Sequence, residues 1–152
     1  MPENPQQNFA NHTRLDPWFH FFVLPVFAIA LLMTLVHFVA HFSEGDGRDR
    51  FHSFLLVLLA AALLAAVFKI RLYSLKVQDR VIRLEERQRL ALLLPESQRA
   101  RIPELTVGQL VALRFASDAE LPALAQRALD EKLAPKDIKK AIQNWRADYW
   151  RV

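Results

Sequence analysis

The sequence predicts an all-α membrane protein: a two-helix transmembrane hairpin whose second helix extends into the cytoplasm, followed by a small C-terminal helical tail. Three observations carry this expectation. Two apolar stretches, 17–42 and 51–72, are each long enough at 1.5 Å per residue to cross a hydrocarbon core of about 30 Å. No Pro or Gly interrupts the run from Phe51 to Leu94, so nothing stops the second helix where lipid would end. The composition agrees: 152 residues, 53% hydrophobic, with eleven Phe and only three Gly. The chain has no Cys, which excludes disulfides, thiol chemistry and Cys-ligated metal or iron-sulfur centres.

Residues 1–16 are rich in Pro, Asn and Gln, lack apolar periodicity, and read as a flexible N-terminal tail. No basic segment with a short apolar core and a small-residue cleavage site precedes the first span, so that span reads as a retained anchor. Asp16 before Pro17 is a helix start: the carboxylate accepts from a first-turn N–H, and Pro at the first helical position lacks a donor that would go unpaired. Trp18 is placed as an interfacial anchor. Around it His12, Arg14, Asp16 and His20 are candidates for a polar cluster at the membrane interface, their simpler role being to cap and anchor the helix.

Within the span 17–42, Pro25 should bend the helix or loosen a backbone bond. Ala30, Thr34, His37 and His41 give it a smaller, more polar face, which the second helix answers with Ala60, Ala61, Ala62, Ala65 and Ala66. The link 43–50 is too short to recross a bilayer, so the spans are antiparallel. Seven Lys and Arg from Lys69 to Arg89 face only Asp79, Glu85 and Glu86. By the positive-inside rule both termini are then cytoplasmic and the link is external.

The continuation 73–94 carries a possible coiled-coil seam: Ile70, Ser74, Val77, Val81, Leu84, Gln88 and Ala91 recur at spacings of four and three. Val77, Val81 and Leu84 form its apolar centre and point to a homo-oligomer. Leu75, Ile82 and Leu90 widen the apolar face beyond a strict seam, which favours contact with something broader than one partner helix; the simpler alternative to self-association is a helix that packs on its own C-terminal domain.

Residues 95–104 read as a linker or a bent helix end after Pro95, and 105–152 as a three-helix cytoplasmic tail. Thr106 with Gln109 and Ser117 with Glu120 look like capping boxes, opening helices from Val107 to about Phe115 and from Ala119 to Lys132. Pro135 opens a third helix to about Tyr149. Trp145 and Trp150, beside basic residues, are candidates for core and membrane-surface contacts.

Topology brings His37, His41 and His52 to one depth, with Glu44 and Asp46 close by. Imidazoles so placed suit a divalent metal or haem iron, and equally suit hydrogen bonds across helices or to water. No cofactor is expected from any dedicated motif. No HExxH, G-x-S-x-G or P-loop pattern is present, and the spans carry no Asp or Glu for acid-base work, so an enzyme is poorly supported. The basic tail residues are interrupted by acidic ones, which argues against nucleic acid. The expected partners are membrane lipids, further copies of the chain, and a larger membrane complex. Two function classes follow: an oligomeric scaffold or accessory subunit, or a small channel, transporter or metal- or haem-bearing subunit using the histidines.

Three blocks carry a resemblance: NHTRLDPWFH at Asn11–His20, VQDRVIRLEER at Val77–Arg87, and LVALRFASDAELPAL at Leu110–Leu124. In them the chain resembles a family of small, uncharacterised bacterial inner-membrane proteins, over about Gln7 to Val152. The resemblance implies a two-helix anchor in the inner membrane with a cytoplasmic helical tail, and supplies no activity or catalytic residue.

Overall fold

The computed structural model describes residues 6–13, 15–43 and 45–149. Among them lie six α-helices and no sheet: α1 (Leu24–His41), α2 (Gly47–Leu93), α3 (Glu96–Arg99), α4 (Val107–Leu113), α5 (Leu121–Asp130) and α6 (Pro135–Ala141). The chain divides into two compact units, Leu15–Ser74 and a second formed by Met1–Arg14 with Leu75–Val152. Helix α2 contributes to both.

In the first unit the Asp16 side chain accepts from Phe19 N–H at 3.2 Å, the cap expected there. Residues Phe19–Val23 then form a π turn, in which Leu24 N–H bonds to Phe19 O five residues back. Pro25 follows immediately; its ring would crowd the carbonyl four residues earlier, and the wider turn relieves that clash. Helices α1 and α2 approach at both ends. Phe38 and Phe54 lie 6.3 Å apart between ring centroids, and Asp16 pairs with Arg71 at 3.7 Å. The Arg71 guanidinium also lies over the Phe19 ring.

Helix α2 begins at Gly47, four residues earlier than expected, because the Asp46 carboxylate accepts from Asp49 N–H at 2.9 Å and caps it. The expected link 43–50 is shortened accordingly. Gly45 is needed here for space: a Cβ would come within 2.8 Å of His41 O. Ser53 and Ala60 are the buried residues of α2 in this unit; the Ser53 hydroxyl donates to Asp49 O at 2.7 Å. Two helices, Phe19–His41 and Gly47–Leu93, are long and apolar enough to cross a membrane by length and composition.

The second unit has a conventional core. Leu90, Leu94, Ile102, Leu105, Leu110, Leu113, Phe115, Leu121, Ile138 and Ile142 are all buried in one cluster. Helix α2 ends before Pro95, as expected. The expected linker 95–104 is instead structured: α3 and a 3-10 turn at Ile102–Glu104 deliver Ile102 and Leu105 into the core, and their burial holds the backbone. The Thr106–Gln109 capping box forms as read from the sequence. Gly108 matters because Pro135 of α6 lies 3.0 Å from where its Cβ would stand.

Two expectations fail. The Ser117–Glu120 box does not form, and α5 starts at Leu121 without a side-chain cap. The Glu120 carboxylate turns instead to Asn144, accepting from its backbone N at 2.9 Å and its side chain at 3.0 Å. Helix α6 stops at Ala141 rather than Tyr149, since the chain beyond is claimed by 115–117: Ser117 N–H bonds Asn144 O, Arg146 N–H bonds Phe115 O, and Ala116 bridges Trp145. After α5, Lys132 adopts a left-handed φ of 50° while Leu133 N–H reaches back to Ala128 O, which closes the helix end.

Of the expected N-terminal tail, the described residues 6–13 are not free. Gln7 is buried, and its side-chain amide makes two hydrogen bonds to the backbone of Asp148, donating to O at 3.2 Å and accepting from N–H at 2.9 Å. His12 lies against Phe115 and Trp145, with ring centroids 5.8 and 5.6 Å away. Its Nδ1 meets Phe9 O at 2.8 Å and its Nε2 meets Lys139 Nζ at 3.2 Å, a pairing that assigns the proton to Nδ1 and leaves Nε2 to accept.

Candidate functional site

The part of α2 beyond residue 75 has two faces, because successive helical residues turn by about 100° and those four apart stay on one side. Ile82, Glu86 and Leu90, at steps of four, are buried. On nearly the opposite side Val77, Val81 and Leu84 remain 61%, 47% and 63% exposed. The buried face is the one that packs on the chain's own tail. The exposed face is the centre of the seam read from the sequence; further along, Ala91 is drawn against the core and the seam ends there.

The buried face is fastened by charge as well as apolar contact. Glu86 pairs with Arg89 at 3.0 Å and with Arg146 at 3.5 Å. Arg89 also binds Asp118 at 2.6 Å and donates to Ala116 O at 2.7 Å, so one guanidinium joins α2 to the turn after α4. Burial pushes the Glu86 carboxyl up from the ordinary glutamate range, and the charges of Arg89 and Arg146 oppose that without cancelling it. Arg114 is buried and meets Asp148 at 3.0 Å. Nothing in the sequence distinguished Glu86 from its neighbour Glu85 except its i+4 register with Ile82 and its i−4 register with Leu90.

The residues of the polar cluster expected at the membrane interface fall in both units. His12 belongs to the unit containing the tail, whereas Asp16 and His20 belong to the other. His20 Nδ1 donates to Asp16 O at 2.8 Å, a contact within one helical turn. Arg14 lies outside the described residues, as do Glu44 and Trp150. Trp145, read as a core and membrane-surface contact, makes the core contact: it is half-buried in the stack with Phe115 and His12, beside its backbone pairing with Ala116.

Of the three candidate metal ligands, His37 and His41 stand together, rings 4.3 Å apart, with His41 Nδ1 donating to His37 O at 3.0 Å. His52 is exposed beside Phe51. Among the described residues no group of three or more His, Asp or Glu side chains is placed to hold one metal ion. Asp46, a candidate companion, serves as the α2 cap.

A family model described as a family of unknown function (DUF6526) matches residues 1–152. No curated protein and no solved structure matches the chain.

Proposed function

The chain belongs to the DUF6526 family, and from the unlike burial of apolar side chains in its two units we propose that it is a small integral membrane protein that serves as an oligomeric scaffold or accessory subunit. The observation carrying this reading is an inversion: the most apolar part of the chain is the least buried. In Leu15–Ser74 large side chains such as Leu32, Met33, Val36, Leu58 and Leu59 are exposed, whereas a water-soluble fold would bury them. A bilayer supplies the missing apolar surroundings.

Residues 6–13 and 75–149 share one compact unit, so the segments flanking the two spans meet on one side of such a membrane. The seven basic residues from Lys69 to Arg89 support the cytoplasmic side of a bacterial inner membrane as that side, by the positive-inside rule. The tail then stands at the cytoplasmic surface with Val77, Val81 and Leu84 uncovered, and a further copy of the chain covers them. The roles of the chain in this reading are lipid anchoring and assembly.

Cysteines placed at Ser43 and at Gln6 test the topology, since the chain has none of its own. An impermeant maleimide on intact cells should label Ser43→Cys and spare Gln6→Cys; the reverse pattern would sink the reading. Native mass spectrometry from mild detergent tests the assembly. The wild type should exceed one copy, and Val77, Val81 and Leu84 changed together to Asp should return it to one copy while leaving it in the membrane fraction. A wild type of single-copy mass overturns the scaffold.

A further inference from the structure

The exposed face of α2 carries enough information to specify how two copies meet. Spacing places Val77 and Leu84 at d positions and Val81 and Gln88 at a, while the buried Ile82 and Glu86 fall at b and f, on the side where Glu86 pairs with Arg146 of the tail. A helix whose b and f positions are occupied by its own domain has its a and d edge free for a partner helix. Valine at a with leucine at d is the combination that favours two strands over three or four.

Arg80 then lies at g, and Glu85, five residues on, at the next e position. Both are exposed, and among the described residues neither makes an ion pair within its own chain. In a parallel, in-register pair each Arg80 faces Glu85 of the other copy, giving two attractive contacts per dimer. In an antiparallel pair g faces g, which sets Arg80 and Arg87 of one copy against arginines of the other.

We propose that α2 pairs with α2 of a second copy as a parallel, in-register two-stranded coil centred on Val77, Val81 and Leu84, with Arg80 and Glu85 setting its register. This rests on the membrane reading above, because a span inserted in one sense presents every copy in the same orientation. Three apolar side chains per copy bury far less than the roughly 800 Å² per partner of a free-standing interface. The pairing therefore depends on confinement to a common surface, which raises the effective concentration of one copy at another. Polar Ser74 and Gln88 at neighbouring a positions keep the coil short and weak.

The test uses the full chain in lipid nanodiscs or mild detergent, with single cysteines at Val77, Val81 or Leu84 and at Gln126 as an exposed control. Oxidation should give same-site disulfide dimers at all three seam positions and none at Gln126→Cys. An antiparallel pairing would instead link a mixture of Val77→Cys and Leu84→Cys chains while sparing either chain alone, and would overturn the proposal. Arg80→Glu should raise the dimer dissociation constant by about tenfold, and Arg80→Glu with Glu85→Arg should restore it. No change on Arg80→Glu overturns the register. If the mass exceeds one copy but same-site links are missing, the coil falls and the scaffold stands; if the mass is that of one copy, both fall.

Discussion

Residues 15–74 and 75–149 draw on the same aliphatic side chains and treat them in opposite ways. In the first region Leu58, in mid-helix, is 55% exposed, and Ser53 and Ala60 are the buried residues of its half of α2. In the second, Leu90, Leu110, Leu113, Leu121 and Phe115 are fully enclosed. On the membrane reading proposed above, the difference makes α2 one covalent helix serving two solvents: a half that lipid surrounds needs no protein cover, and a half in water acquires a core on one side. Polar side chains follow the same division. Ser53 satisfies itself within its own helix, whereas Glu86 and Gln109 reach partners far along the chain.

The sharpest way to break this comparison is a matched pair of truncations. Phe115→Ala should cost the tail-containing unit about 3–5 kcal/mol through the cavity it leaves, while Leu58→Ala should leave that unit within about 0.5 kcal/mol of the wild type. Amide hydrogen exchange over α4 and α5 in detergent reads both, and equal effects would mean that the units do not unfold separately. Gln109→Ala should come next. Its side-chain amide donates to Ala128 O at 3.0 Å and Leu133 O at 3.1 Å, and orphaning buried carbonyls costs about 1–3 kcal/mol. The same exchange experiment measures it, and a change under about 0.5 kcal/mol would show that water replaces those bonds.

The smallest expected effect is a dependence on pH. Burial raises the Glu86 carboxyl, so the folded state binds its proton more readily than the unfolded chain does. The stabilisation linked to this group is fully present below the ordinary carboxylate range and is lost as pH rises through the raised value. Glu86→Gln, which is neutral at every pH, should flatten the stability profile between about pH 4 and 7. A profile of unchanged slope would show that Arg89 and Arg146 hold the carboxylate ionised throughout.

What was legible in the sequence was local. The Asp16 and Thr106–Gln109 caps use partners three residues away, and Pro95 acts on its own neighbours, so spacing alone identifies them. Ser117 with Glu120 has the same local signature and fails, because Asn144 offers the carboxylate a better pair of donors. Residues 142–149 have helical periodicity yet are not helical, since Phe115 O and Ser117 N–H draw Asn144 and Arg146 into pairing. The N-terminal stretch has no periodicity at all, and it is held through one buried amide, Gln7, matched to the backbone of Asp148.

The sequence by itself determined the two long apolar helices, the uninterrupted run of α2 and the place where it ends, because hydrophobic length, helix propensity and proline act over a few residues. Only the tertiary structure decided which side of α2 is consumed by its own tail. Val81 and Ile82 are adjacent and chemically alike, and they lie about 100° apart on the helix. Ile82 is buried and Val81 is exposed, and the face that Ile82 shares with Glu86 and Leu90 is fastened by residues up to 60 positions away, as the bond from Arg146 to Glu86 records.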